Sequence, residues 1–463
     1  MTAYPEHVLD LLEPRLAGDA PAVADRAGVL SYQELDRLSV GLAAALLAAG
    51  VAADEPVLVH AHLSRWAIVG MLGVLRAGAR YVAVDAAFPD ERQQLMAEAS
   101  GARVTVREPG LTVRLRAPLT PISADQPPTR MGVRRGRLAY TCFTSGSTGH
   151  PKPVTISARA LAYSTAARLS HYREPVTGFL LCSSISFDSS VAGIYWTLAC
   201  GGTIVIPSER PSDLAAAGRF AAEHRPSHAL LVPSLYGVAL RGGLAEQFAS
   251  LRTVIVAGEV CPPDLVAAHF AALPDTELHN EYGPTECTVW STVHRCEPAD
   301  AEAASVPIGL PIPGTEIVML DPSLDGVGEL CLAGPGLAEG EPSPYRTGDL
   351  VSRRDDGELL FHGRADHQLK LGGVRVERAE IEQALRSFPG IEEAGVGVGH
   401  PAGRNRLTAS LVAKADVDRA EIRAHLLERL PIAAIPTRFL LLAELPRLPN
   451  GKLDHAELDR RAG

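Results

Sequence analysis

An alternation restricts the fold most. From Ser31 to Asn280, short apolar runs take turns with stretches of helical periodicity. Ser31-Tyr32-Gln33-Glu34 has the form of a capping box, and the helix it opens runs through Leu46 to a stop at Gly50. Pro56–Ala61 reads as a strand, Arg65–Arg76 as a helix closed near Gly78, and residues 81–84 as the next strand. Residues 90–99 read as a helix and 103–106 as a strand. Further strands are expected at 179–183, 203–206, 229–232, 253–256 and 277–280, with helices between them. Such an order implies parallel sheets with helices on both faces, an α/β fold.

Within this order stands Thr144-Ser145-Gly146-Ser147-Thr148-Gly149-His150-Pro151-Lys152. An apolar run at 138–143 precedes it, and a helical pattern at 157–169 follows. Glycines let the backbone approach an anion closely and turn its N–H groups inward. The hydroxyls add donors, and Lys152 adds a compact positive charge. The spacing is not the G-x-x-x-x-G-K-[ST] loop. A flexible Ser/Gly linker is the bland alternative, but a linker is not bracketed by a strand and a helix.

Beyond Pro307 the texture changes. Gly and Pro crowd 309–314 and 326–340, which reads as a small β-rich subdomain. Helical patterns return at 377–388 and 418–430, with strands at 395–398 and 407–412, a compact α+β unit. The expected division is a large core over 1–365 and a small C-terminal domain over 366–463.

Composition removes several functions. The net charge of -10 without basic blocks argues against nucleic acid. No run is long enough to span a membrane, and Met1–Asp10 lacks the pattern of a signal peptide. Seven scattered cysteines without C-x-x-C spacing fit reduced thiols in a cytoplasm. Only four of the 44 basic residues are lysines: Lys152, Lys370, Lys414 and Lys452. Lys and Arg are not interchangeable at compact anionic sites, so a chain this rich in Arg is expected to keep Lys where Arg will not serve.

Ten segments together resemble the adenylate-forming superfamily, and within it the amino-acid-activating adenylation domains of nonribosomal peptide synthetases. They are LSYQEL (30–35), LRAGARYVAVD (75–85), the loop 144–152, FDSS (187–190), NEYGPTE (280–286), 328–336, YRTGDL (345–350), GRADHQLKLGGVRVERAEIE (363–382), LPIAAIP (430–436) and NGKLD (450–454). Three departures stand out. Pro153 replaces the usual Gly after the loop lysine, the segment from Gly340 to Tyr345 is short, and Ala433-Ala434 replaces a Tyr-Met pair.

The resemblance implies attack of a carboxylate on the α-phosphorus of ATP, giving an acyl-adenylate and pyrophosphate. It implies Lys452, Lys152 and Thr144 as catalytic groups. Ser145, Gly146, Ser147, Thr148 and Gly149 would hold phosphates. Gly258, Glu259, Asn280, Tyr282, Gly283, Thr285, Asp349 and Arg364 would bind the nucleoside, and Glu286 would bind Mg²⁺. Asp366 would be the hinge for a rotation that brings Lys370 to a thiol acceptor. Asp188 would pair with a substrate α-ammonium, since an unpaired buried carboxylate is costly; the plainer reading makes it a helix cap. By position, the side-chain pocket would comprise Ser189, Ala192, Leu231, Ile255, Ala257, Glu281, Val289 and Trp290. Glu281 is the charged exception in that pocket, and the expectation drawn from it is a basic substrate such as lysine, ornithine or arginine. That holds unless an Arg or a water answers the carboxylate; the competing account has Glu281 turned away or protonated.

The function expected is ATP-dependent activation of an amino acid and its transfer to the phosphopantetheine thiol of a carrier protein in trans. Whether the chain is free-standing or cut from a larger synthetase stays open, as does a small MbtH-like helper protein. The alternatives are an acyl-CoA or amide ligase, or a non-catalytic sensor of the same fold.

Overall fold

A computed structural model describes residues 4–108, 112–115, 134–144, 151–320, 322–323, 325–365, 368–371, 374–399, 406–413, 417–447 and 453–463. The chain divides into two units. One comprises Met1–Ala87, Ser100–Phe143 and Pro153–Ala365; the other comprises Phe88–Ala99, Thr144–Lys152 and Asp366–Gly463.

The first unit is built on two large sheets and one small one. In the nine-stranded sheet the central strands run in the order Glu277–Tyr282, Thr253–Ala257, His228–Leu231, Gly178–Leu181, Thr203–Val205 and Pro21–Asp25, all parallel. Antiparallel strands close both edges: Thr292–Cys296 with Leu310–Pro311 at one, Gly28–Ser31 at the other. The six-stranded sheet has Val104–Arg107, Pro56–Ala61, Arg80–Asp85 and Leu138–Thr144 at its centre. The expected alternation is therefore realised, and the helices that follow the strands supply the crossovers parallel pairing requires.

One continuous core joins these sheets through the helices Tyr32–Ala48, Arg65–Arg76, Ala158–His171 and Asp188–Cys200. The capping box at Ser31 forms as expected: Glu34 N–H donates to the Ser31 hydroxyl, and Ser31 N–H donates to the Glu34 carboxylate. A second core covers the other face of the nine-stranded sheet, under the helices Leu214–His224, Pro233–Arg241 and Pro263–Ala272. The Gly/Pro-rich part is the expected small β subdomain, four antiparallel strands at Glu316–Leu320, Gly328–Ala333, Tyr345–Arg353 and Leu359–Arg364.

Two strands run against the sequence reading. Lys152–Ser157 is a strand, although the phosphate-loop pattern was expected to lead straight into a helix. Pro153 had hidden it. The strand lies at the edge of the six-stranded sheet, where a missing N–H is tolerated. Pro21–Asp25 was also not anticipated, and it pairs back on Gly28–Ser31 as a hairpin.

In the second unit, Ile391–Gly399, Arg406–Ala413 and Arg438–Leu441 form a three-stranded sheet. The helices Arg378–Arg386, Arg419–Leu427 and His455–Ala462 accompany it. Gln368–Leu371 and Val374–Glu377 form a two-stranded ribbon.

Candidate active site

The motif NEYGPTE spans the end of one strand and the turn after it. Successive strand residues point to opposite faces, so the motif serves two sides of the sheet. Asn280 and Tyr282 look one way. The Asn280 amide donates to Pro307 O at 2.7 Å, tying the strand to the loop beyond it. The Tyr282 hydroxyl donates to Asp349 Oδ2 at 2.5 Å. Arg364 donates to the other oxygen of the same carboxylate at 2.6 Å. Asp349 is 2 % exposed and held from both sides, in a fixed orientation suited to accepting hydrogen bonds. These are the residues to which ribose and adenine recognition was assigned, and the structure brings all three together.

The turn is tight. A side chain at Gly283 would lie 2.5 Å from Trp290 Cα and 2.6 Å from Val289 O, so only glycine fits. Thr288 and Val289 both have positive φ, 55° and 80°. For a β-branched residue that is a strained conformation, of order 1–3 kcal/mol. Two bonds hold it: Thr288 Oγ1 donates to Gly336 O at 2.6 Å, and Ser164 Oγ donates to Thr288 O at 3.0 Å. The strained turn is what aims Val289 and Trp290 back toward the helix Ala158–His171. Nearby, Gly258 adopts φ 82° just past the neighbouring strand, and the Glu259 carboxylate accepts from Ser234 N–H at 2.9 Å.

Asp188 opens the helix Asp188–Cys200, and Phe187 occupies the cap position, so Asp188 is not the capping residue. It is half-buried beside Ser189. Its pKa is pushed up to about 6, first by burial and further by the Glu286 carboxylate; hydrogen bonds from Thr285 and from local backbone act against the rise. No cation stands among the leading influences on it. Glu286, 1 % exposed, sits on the short turn Thr285–Cys287. Its hard oxygen donors, next to a second carboxylate, are chemically suited to Mg²⁺.

Glu281 faces the side of the sheet opposite Tyr282. Ala257 stands directly across from it, and Ile255 across from His279. Leu230 pairs with Ile255, whereas Leu231 pairs with Val256. Leu230 and Ile255 belong to the core with Ala192 and Trp290; Leu231 belongs to the core on the other face. Leu230, rather than Leu231, thus shares the face and core of Ile255, Ala192 and Trp290, the residues with which Leu231 was expected to stand. A slip of one residue along a strand exchanges its faces.

The expectation of a basic substrate loses its premise. Arg168 meets Glu281 in a bidentate ion pair, Nη1 to Oε1 at 2.5 Å and Nη2 to Oε2 at 2.8 Å. The Tyr172 hydroxyl donates to Glu281 as well. The guanidinium lies 4.3 Å over the Trp290 ring and 5.6 Å from that of Trp196. Glu281 neither turns away nor waits for a substrate cation; the protein supplies one. Removing one member of such a buried pair costs roughly 3–5 kcal/mol, because the other charge is left without compensation.

Thr144 is buried at the end of its strand, and Lys152 is exposed at the start of the next. The backbone of Lys370 lies in the ribbon Gln368–Leu371. Ser145, Gly146, Ser147, Thr148, Gly149, Asp366 and Lys452 lie outside the described residues.

The profile described as "AMP-binding enzyme" matches residues 13–340, and that of the "AMP-binding enzyme C-terminal domain" matches 380–452. The chain belongs to the AMP-binding enzyme family. It is 34 % identical, over 95 % of its length, to a plipastatin synthase of Bacillus subtilis (strain 168), of which it spans 13 %. The chain spans less than half the length of this and similar curated relatives. Among solved structures it resembles holo-PA1221, described as an NRPS protein containing adenylation and PCP domains, with a TM-score of 0.83 and 25 % identity over 99 % of this chain and 84 % of that one. The amide bond synthetase McbA from Marinactinospora thermotolerans shares the fold, with a TM-score of 0.87 at 22 % identity, covering 97 % of this chain and 99 % of that one. The AMP-binding enzymes named by these matches place the chain among ATP-dependent, AMP-forming ligases. No helix among the described residues is long and apolar enough to cross a membrane.

In this AMP-binding enzyme the motifs did not mark Arg168. A faint signal existed. Ser164 and Arg168 lie four residues apart on a helix whose other positions are largely buried and apolar, and Tyr172 follows at its C-cap, so polar residues recur every four positions in the sequence. Each of the three touches the NEYGPTE strand or the turn after it.

Proposed function

We propose that this chain activates an α-amino acid as its aminoacyl-adenylate and passes it to the phosphopantetheine thiol of a carrier protein. The observation that carries the reading is Asp188. It is a carboxylate beside Thr285 and the Glu286 carboxylate, raised to about 6 chiefly by burial, with no cation among the leading influences on it. An α-ammonium supplies the missing charge, and an acid without an amino group leaves it unmet. Asp349, Tyr282 and Arg364 are set to take the ribose, and Glu286 is suited to hold Mg²⁺ against the phosphates. The substrate carboxylate attacks the α-phosphorus; the bond to the bridging oxygen breaks and pyrophosphate leaves. The work asked of the protein is positioning and electrostatics rather than proton transfer. Lys452 and Lys152 are the cations assigned to that charge, with Thr144 and the loop hydroxyls beside the phosphates. The small C-terminal domain, turning about Asp366, then presents Lys370 and its neighbours for thiol transfer.

Pyrophosphate exchange with an amino-acid panel, each member beside its des-amino acid, tests the first half-reaction. Exchange with the des-amino acids at equal rate rejects the role of Asp188. Offering the adenylate to a holo-carrier protein, to coenzyme A and to a free amine tests the second half. Thioester on the carrier supports the reading; amide or coenzyme A thioester alone makes the chain a ligase of the other kind.

A further inference from the structure

The helix Asp188–Cys200 sets a ruler along the amino-acid site. Asp188, Ala192 and Trp196 are four residues apart and share one helix face. At 1.5 Å per residue, Ala192 lies ~6 Å along the axis from Asp188, and Trp196 ~12 Å. Around Trp196 the space is already filled. The Tyr172 ring is 4.7 Å from it, and the Arg168 guanidinium is 5.6 Å from it and 4.3 Å from Trp290. All four side chains are buried. Glu281 reaches this cluster from the facing strand, beside Ala257.

The cluster is electrically balanced. Arg168 and Glu281 neutralise each other through two parallel hydrogen bonds, and Tyr172 spends its proton on the same carboxylate. The neighbouring rings of His171 and His279 lie 5.0 and 4.9 Å from Tyr172, in T-shaped contact, and add no counter-charge of their own near neutral pH, since burial lowers both.

We infer that Arg168 is the residue that sets the substrate class: its pair with Glu281 closes the side-chain end of the site as a filled, neutral floor, and the site takes an α-amino acid with a short, uncharged side chain. This rests on the reading of Asp188 as the ammonium partner. A lysine or ornithine side chain would bring its cation against Arg168, and an aspartate or glutamate side chain its anion against Glu281. Either must also shed its water, so discrimination comes from what is repelled as well as what fits. A large aromatic side chain needs the room that Trp196, Tyr172 and Trp290 occupy. Arg168 acts by holding Glu281 neutralised and in place; it is a positioning residue, and Glu281 alone would invite the opposite substrates.

The test is pyrophosphate exchange across short neutral, aromatic, basic and acidic amino acids with wild type, Arg168→Met, Glu281→Gln and the double variant, each checked for a folded state by thermal melting. Wild type should exchange with short neutral amino acids and at least tenfold less with the rest. Arg168→Met leaves a carboxylate without its cation, and the ratio of basic to neutral kcat/KM should rise by tenfold or more. Glu281→Gln leaves the guanidinium, and the acidic to neutral ratio should rise likewise. The double variant should lose both gains and return to a neutral preference at reduced rate. A destabilised fold lowers every rate alike and does not produce opposite shifts in two single variants. Wild-type preference for a charged or aromatic amino acid overturns the inference, as do folded single variants whose panel order matches wild type. If no amino acid exchanges but des-amino acids do, the proposed function fails instead, and that result is distinct from either.

Discussion

Asp188→Asn is predicted to abolish selection for the α-amino group and, at the same time, to stabilise the protein. The carboxyl is raised from 3.8 to about 6. Keeping it ionised above pH 6 therefore costs about 3 kcal/mol, at 1.36 kcal/mol for each tenfold change in proton affinity. The sign follows from linkage. A group whose folded pKa lies above its unfolded value contributes stability that is fully present below the unfolded value, near 3.8, and lost as pH rises through the folded value, near 6. Wild type gives up that contribution across this window, and the uncharged asparagine does not. The variant's advantage should be absent at pH 3.5, grow to pH 6 and stay level above it. For a unit this large, at roughly 1 °C per kcal/mol, the melting temperature at pH 8 should rise by about 3 °C. Amino-acid KM should rise roughly 10- to 150-fold at pH 8, the equivalent of losing a hydrogen bond to a charged group, about 1.5–3 kcal/mol. In wild type the same KM should climb about tenfold for each pH unit below 6, as the carboxylate protonates. Melting curves from pH 3.5 to 8 and pyrophosphate exchange over pH 5 to 8 read both effects. A variant no more stable than wild type at pH 8, or one with unchanged amino-acid KM, would refute the account of Asp188 as a carboxylate waiting for a cation.

Three more outcomes are expected. Lys452→Ala should lower adenylate formation by about 10²-fold or more, since it removes charge stabilisation from the transition state, while transfer from preformed adenylate to a thiol survives; equal loss in both steps speaks against it. Asp366→Pro, by restricting the hinge backbone, should depress adenylation and thiol transfer unequally, as read by exchange and by carrier loading, whereas equal modest losses mean simple destabilisation. Leu230→Ala should reorder the amino-acid panel, and Leu231→Ala should leave the order intact while costing about 2–5 kcal/mol in denaturant unfolding; the reverse result restores Leu231 to the pocket.

The contrast between Leu230 and Leu231 shows where the sequence stops being informative. Strands that are buried on both faces do not alternate, and His228–Leu231 reads as apolar throughout. The motifs locate the strand, but nothing inside it says which residue shares the face of Ile255; only pairing with Ile255 and Val256 decides that. Lys152–Ser157 is the same problem in another form, since the proline that argues against a strand is harmless on an edge. The alternation, the capping box and a β-rich subdomain in the Gly/Pro-rich stretch were legible because each depends on local pattern, whereas Tyr282 and Asp349 were assigned to one nucleoside only through the resemblance, and their direct hydrogen bond was not foreseen.

The partner of Glu281 was not legible for a different reason. A motif records the residue that varies on the strand, whereas the charge that answers it comes from a helix more than a hundred positions away in the chain. Reading Glu281 alone led to a basic substrate, by sound electrostatics applied to half of a pair. The structure removes the premise without changing the principle: a buried carboxylate needs a cation, and Arg168 is that cation. Asp188 is the control for this argument within the same site. It too is a carboxylate, but its leading neighbours are Thr285, local backbone and the Glu286 carboxylate rather than a cation, and burial raises its pKa to about 6. Of the two acidic residues expected to contact the substrate, one is already paired within the protein, and the other has no cation among the leading influences on it.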